Sequence, residues 1–162
     1  MEIRAEKDAD RQAVRDVVSA AFAGRAEADL VDDLRAECDG ILSLVAEEDG
    51  RIVGHALLSP MNAPFRALGL APVAVLPERQ GEGIGSALIR AGLSRARDEG
   101  WQAVFVLGEP AYYRRFGFDP ALAEGFDCAY AGPYLMALPL GGALPARTGQ
   151  LRYAEAFSRL PV

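Results

Sequence analysis

Cysteine, histidine and positive charge are all scarce in this sequence, and each scarcity excludes something. Among 162 residues there are 2 cysteines and 1 histidine. Cys38 and Cys128 cannot make the disulfide framework of a small secreted domain, and both read as small buried apolar side chains. Lys and Arg total 17 against 23 Asp and Glu, a formal net charge of −6. Nucleic acid favours a basic surface, so it is not the expected partner. A cationic substrate is weakly favoured instead. The opening MEIRAEKDADRQ is charged and lacks the apolar stretch of a secretory leader. No uninterrupted apolar run reaches the roughly 20 residues of a membrane-spanning helix, and YLMALPLGGALP is broken by Pro and Gly. There is no internal repeat and no low-complexity linker. The expectation is a cytoplasmic protein with neither a membrane nor a nucleic-acid partner.

What is present is ordinary globular composition, 51% hydrophobic and 25% charged. The length suits a single domain, residues 1–162, able to bury roughly 70% of its unfolded surface. Ile3 to Ala5 reads as a strand, with Asp8 or Asp10 capping a helix behind it. Val14, Val17, Val18, Ala21 and Phe22 share one helical face. Leu30, Val31 and Leu34 suggest a second helix with Asp29, Asp32 and Asp33 outward. Ile41–Ala46 and Ile52–Leu58 form a hairpin around Asp49-Gly50, whose turn favours φ > 0 at both positions. Leu70–Leu76 is the next strand, and Pro72 inside it requires irregular pairing because it has no N–H to donate. A helix follows with Gly85, Leu88, Ile89, Gly92, Leu93 and Ala96 on one face. Ala103–Leu107 is a buried strand and AYYRRF a short helix. After Asp119-Pro120 the pattern is irregular, with strands expected at YLMALPL and QLRYAEAF. This order predicts a mixed α/β domain, one sheet covered by helices.

The informative stretch is VAVLPERQGEGIGSALIRAG, residues 73–92. An apolar strand meets Gly81, Gly83 and Gly85, and a helix begins. Amides at a helix start are unpaired and partly positive, and glycines let a ligand approach them, so this is an anion site suited to phosphate. A nucleotide P-loop needs Lys and then Ser or Thr after its last glycine, but Ser86-Ala87 follow Gly85. A dinucleotide fingerprint needs G-x-G-x-x-G early in a βαβ unit, whereas this spacing is G-x-G-x-G in mid-chain. A plain helix start remains the bland alternative.

QGEGIG, lying between such a strand and such a helix, resembles the Gln/Arg-x-x-Gly-x-Gly/Ala signature of the GNAT N-acetyltransferase superfamily. YYRRFGF resembles that family's second signature, and GEPAYYRRFGF looks most like a bacterial branch of predicted acetyltransferases. The resemblance covers about two thirds of the chain. It implies a mostly antiparallel sheet with a splayed parallel strand pair, flanked by helices. The core would be residues 3–118, followed by a strand-rich segment, 119–162. It further implies acetyl-CoA as acyl donor and no metal. Gln80, Gly81, Gly83, Gly85 and Ser86 would hold the pyrophosphate. The main chain of Val73 and Val75 would pair with the pantetheine arm and supply the oxyanion donor. Tyr113 would be the general acid. The base is open. The strand before the loop has no carboxylate, which leaves His55, Glu109 or water. The acceptor would be a small-molecule amine or a peptide N-terminus, and a homodimer is admissible, as relatives often dimerise. Two rivals stand beside this: a CoA-binding sensor or scaffold without catalysis, and a nucleotide-binding protein.

Overall fold

A computed structural model describes residues 1–161. The chain runs through β1 (Glu2–Ala5), α1 (Arg11–Phe22), α2 (Ala26–Glu37), β2 (Leu42–Glu48), β3 (Arg51–Pro60), β4 (Ala67–Val75), α3 (Ile84–Asp98), β5 (Ala103–Leu107), α4 (Pro110–Tyr113), β6 (Phe126–Asp127), β7 (Leu135–Pro139) and β8 (Gly149–Gln150). Six strands form one sheet in the order β1-β2-β3-β4-β5-β7, and β6 and β8 pair apart from it. Within the large sheet only β4 and β5 run parallel. The expected mixed sheet, mostly antiparallel with one parallel pair, is therefore present.

The hairpin turn falls where the sequence put it, with Asp49 and Gly50 both at positive φ. Gly54 and His55 are neighbours on β3, so their side chains leave the sheet on opposite faces. A Cβ on Gly54 would touch Leu88 and Ile84, which places α3 over that face. His55 leads through Ser43 and Glu6 to Arg35 of α2 on the other side, where α1 packs against β3 and β4 and α2 against α1. The helices bury the expected stripes: Val14, Val17 and Val18 from α1, Leu30, Val31 and Leu34 from α2, and Leu88, Ile89, Leu93 and Ala96 from α3. No described helix is long and apolar enough to cross a membrane.

Several expectations are corrected. Phe22 follows the α1 stripe in sequence but is 42% exposed. The Asp10 carboxylate does not cap α1. It accepts the Lys7 N–H at 2.7 Å and pairs with Arg4, which holds its pKa down to about 2. Beside the hairpin turn, Glu47 and Glu48 pair with Arg4 and Arg79. YLMALPL, by contrast, is the expected strand, with Leu135, Met136 and Ala137 buried. QLRYAEAF is not a continuous strand: Gly149–Gln150 pairs with β6, Arg152 makes a single bridge to Asn62, and Glu155–Arg159 coils into a 3-10 turn. Two of the three strands after Asp119 are two residues long, so that segment is mostly turns (Val162 lies outside the described residues).

Candidate active site

The site begins as a gap in the sheet. β4 pairs with β5 only at Ala67, Leu68 and Gly69. From Leu70 onward β4 has a partner on the β3 side alone. The β3–β4 register shifts between Ala56 and Leu58, opposite Ala71-Pro72, so Pro72 sits where the ladder skips and no N–H is required. Beyond the skip, Leu76 N–H donates to Val53 C=O at 3.0 Å. Antiparallel alternation then turns the polar groups of Ala74 toward β3 and those of Val73 and Val75 into the gap. The Gln80 side-chain amide confirms that direction by donating to Val75 C=O at 3.2 Å.

The glycine loop closes one end of this gap. Gly81 and Gly83 have φ of +83° and +86°, a region that L side chains rarely enter, and Gly83 is the N-cap of α3. The first backbone hydrogen bond of α3 runs from Ala87 N–H to Gly83 C=O. Among the described residues the amides of Gly81, Gly83, Gly85 and Ser86 have no backbone acceptor. They face a cavity of about 420 Å3 lined also by Val75, Tyr112, Arg79 and Arg115. Tyr112 Oη is 3.0 Å from Ser86 Oγ, and the Arg115 guanidinium stacks on the Tyr112 ring at 4.4 Å. Arg79 is committed elsewhere, pairing with Glu48 at 2.6 Å and Glu82 at 3.0 Å.

The next cavity along β4, about 600 Å3, holds Tyr113 with Leu70, Ala71, Pro72 and Val73. Val75 and Tyr112 thus line one chamber, and Val73 and Tyr113 the next. The Tyr113 ring rests directly on Gly108, where a Cβ would fall 2.3 Å from it. Burial, and secondarily Tyr112, raises the Tyr113 hydroxyl pKa above its ordinary value, so the phenol stays protonated at neutral pH.

The structure does not bring His55 or Glu109 to that chamber. His55 is fully buried, hydrogen-bonded to Ser43 at 2.8 Å, and lines neither cavity. Glu109 is exposed at the N-cap of α4, where its carbonyl accepts the Tyr112 and Tyr113 amides. The sequence reasoning missed Phe22, Glu27, Tyr130, Tyr153 and Phe157 on the Tyr113 cavity. Tyr112 and Arg115 line the loop cavity. Among the described residues no group of three or more His, Cys, Asp or Glu side chains is placed to hold a metal.

A strand edge open to an extended ligand, unpaired amides at one end and a protonated phenol at the other suit an acyltransferase that takes its acyl group from a long phosphorylated thioester. Residues 11–118 match the acetyltransferase (GNAT) family. The chain belongs to that family and is an acetyl-CoA-dependent N-acetyltransferase. It is 34% identical to the uncharacterized N-acetyltransferase YhbS of Escherichia coli (strain K12), over 98% of this chain and 99% of that one. The crystal structure of E. coli YhbS in complex with CoA superposes with a TM-score of 0.90 at 34% identity, covering 99% of this chain and 93% of that one. A GNAT family acetyltransferase from Brucella melitensis, solved with acetyl-CoA, is 41% identical with a TM-score of 0.81, covering 96% and 97%.

Proposed function

We propose that acetyl-CoA lies along the free edge of β4 and that an amine in the Tyr113 chamber attacks it directly. The carrying observation is the succession of chambers: Val75 and Tyr112 beside the phosphate cradle, then Val73 and Tyr113 beside the larger cavity. The amides of Gly81, Gly83, Gly85 and Ser86 hold the pyrophosphate, with Gln80 at the entrance of the loop. Main-chain groups of Val75 and Val73 pair with the pantetheine arm. The amine nitrogen forms a bond to the thioester carbon, and the oxyanion is met by the Val73 or Val75 N–H, a contact worth about 3 kcal/mol in comparable sites. Collapse breaks the C–S bond. The amine gives its proton to water, and Tyr113 protonates the departing thiolate.

A non-catalytic CoA-binding module is not favoured, because such a module has no use for a protonated phenol beside the open strand. The test is calorimetric titration with acetyl-CoA, ATP and NAD, followed by thiol release from acetyl-CoA with an amine. Acetyl-CoA alone should bind, and Tyr113→Phe should lower kcat by about 10²-fold or more with little change in acetyl-CoA affinity. Binding of ATP or NAD in its place, or an unimpaired Tyr113→Phe, overturns the assignment. The cytoplasm is the proposed place of action, supported by the two free thiols of Cys38 and Cys128.

A further inference from the structure

The chamber around Tyr113 is walled almost entirely by apolar and aromatic side chains, among them Phe22, Leu30, Leu107, Tyr130 and Phe157. Among the described residues no lysine or arginine lines it, and Glu27, at the start of α2, is its one carboxylate. Apart from Met1, the large apolar side chains left exposed among the described residues gather around the same opening. Phe22 (42%), Leu107 (39%) and Tyr130 (40%) are wall residues, and Tyr134 (56%) hydrogen-bonds through its carbonyl to Gly108, next to Leu107. Tyr153 adds a polar group. Its ring lies across β4 at Gly69, where a Cβ would come within 2.7 Å of it, and its hydroxyl is shut off from water without a protein partner. A buried hydroxyl in that condition takes its partner from an ordered water or a ligand.

We infer that the acceptor is a monoamine carried on an apolar body, an arylalkylamine or alkylamine. Glu27 draws in its ammonium, and the body lies against Phe22, Tyr130 and Phe157. A polyamine or an aminoglycoside brings several cations where one carboxylate waits, which leaves the others desolvated and unpaired. A free amino acid brings a carboxylate where there is no cation to meet it. This inference rests on the assignment of the Tyr113 chamber as the site of transfer.

The experiment measures thiol release at saturating acetyl-CoA with phenethylamine, hexylamine, spermidine, kanamycin, leucine and leucinamide. The two apolar amines should exceed spermidine, kanamycin and leucine in kcat/KM by at least about tenfold, and leucinamide should exceed leucine. Glu27→Gln should raise KM for phenethylamine by about tenfold while its acetyl-CoA affinity and melting temperature stay near those of the parent. A preference for spermidine, kanamycin or leucine overturns the inference, and so does an unchanged KM in Glu27→Gln. Tight acetyl-CoA binding without turnover of either apolar amine overturns the acceptor class alone. Failure to bind acetyl-CoA overturns the site itself.

Discussion

His55 shows how one buried side chain can set a pH limit without taking part in the chemistry. Ser43 Oγ donates to Glu6 Oε1 at 2.6 Å and lies 2.8 Å from His55 Nε2. The serine has one proton, so His55 Nε2 must be the donor to Ser43, and Nδ1 is left bare and unpartnered. A proton on Nδ1 would create an unpaired buried charge. Burial first, and the Arg35 guanidinium second, hold the imidazole pKa down to about 3. The unfolded value is near 6.5. Because the folded value is the lower one, the unfolded chain takes the proton first. Stability from this group is therefore complete above about pH 6.5 and is lost as pH falls toward 3, by up to ~1.4 kcal/mol per pH unit. Urea denaturation at pH 7, 6 and 5 should show a steeper decline for the parent protein than for His55→Gln; equal slopes would mean that another group titrates. The same variant addresses the base. With His55 off the wall of the Tyr113 chamber, thiol release should persist within a few-fold of the parent, and a loss of about 10² or more would restore His55 as base.

At the scale of elements, the position of Tyr113 depends on the junction between β5 and α4. Gly108 lets the phenol ring lie against the backbone, and an alanine there would put its Cβ 2.3 Å from the ring. Gly108→Ala should therefore push the hydroxyl aside and lower kcat about 10- to 100-fold, leaving acetyl-CoA affinity within about twofold. Gly83→Ala should behave oppositely. Its Cβ meets nothing in the protein, but φ of +86° strains it, and it stands where the proposed site puts the phosphates. Acetyl-CoA binding should weaken by about tenfold in calorimetry, with a modest fall in melting temperature. These elements were legible in the sequence because their signals are local. Glycines between a strand and a helix, a Tyr spaced from Gly-Phe, and valines at helical steps each specify their own surroundings. Phe22 obeys the helical step of α1 yet lines the chamber, because periodicity states a face but not what covers its end. Tyr130, Tyr153 and Phe157 were not legible as a site at all. They belong to a segment without period, positioned by distant contacts: Phe126–Asp127 pairs with Gly149–Gln150, and Arg159 binds Glu37 of α2.

Over the whole molecule, five separate stretches of chain converge on the Tyr113 chamber: the α1–α2 corner through Phe22 and Glu27, β4 through Leu70 to Val73, the β5–α4 junction through Leu107 and Tyr113, the segment after β6 through Tyr130, and the last described residues through Tyr153 and Phe157. The final turn is held to α2 by burial of Ala156 and Phe157 and by Arg159 with Glu37. The apolar burial carries more of this than the half-exposed ion pair, which is worth about 0–1 kcal/mol. The loop cavity opens separately, beside Arg79 and Arg115. On the proposed assignment each substrate has its own chamber and the two meet at Val73 and Tyr113, so both can be bound at once. A double displacement would instead need an acyl-enzyme nucleophile in the larger chamber. Among the described residues that chamber has no cysteine, and its one serine, Ser158, donates its hydroxyl to the Glu155 carbonyl at 2.7 Å. Initial rates measured across a grid of acetyl-CoA and amine concentrations should therefore give intersecting double-reciprocal lines. Acetyl-CoA alone should release no stoichiometric burst of thiol. Parallel lines with such a burst would mean that the acetyl group rests on the protein between two half-reactions, and the direct attack beside Tyr113 would have to be abandoned.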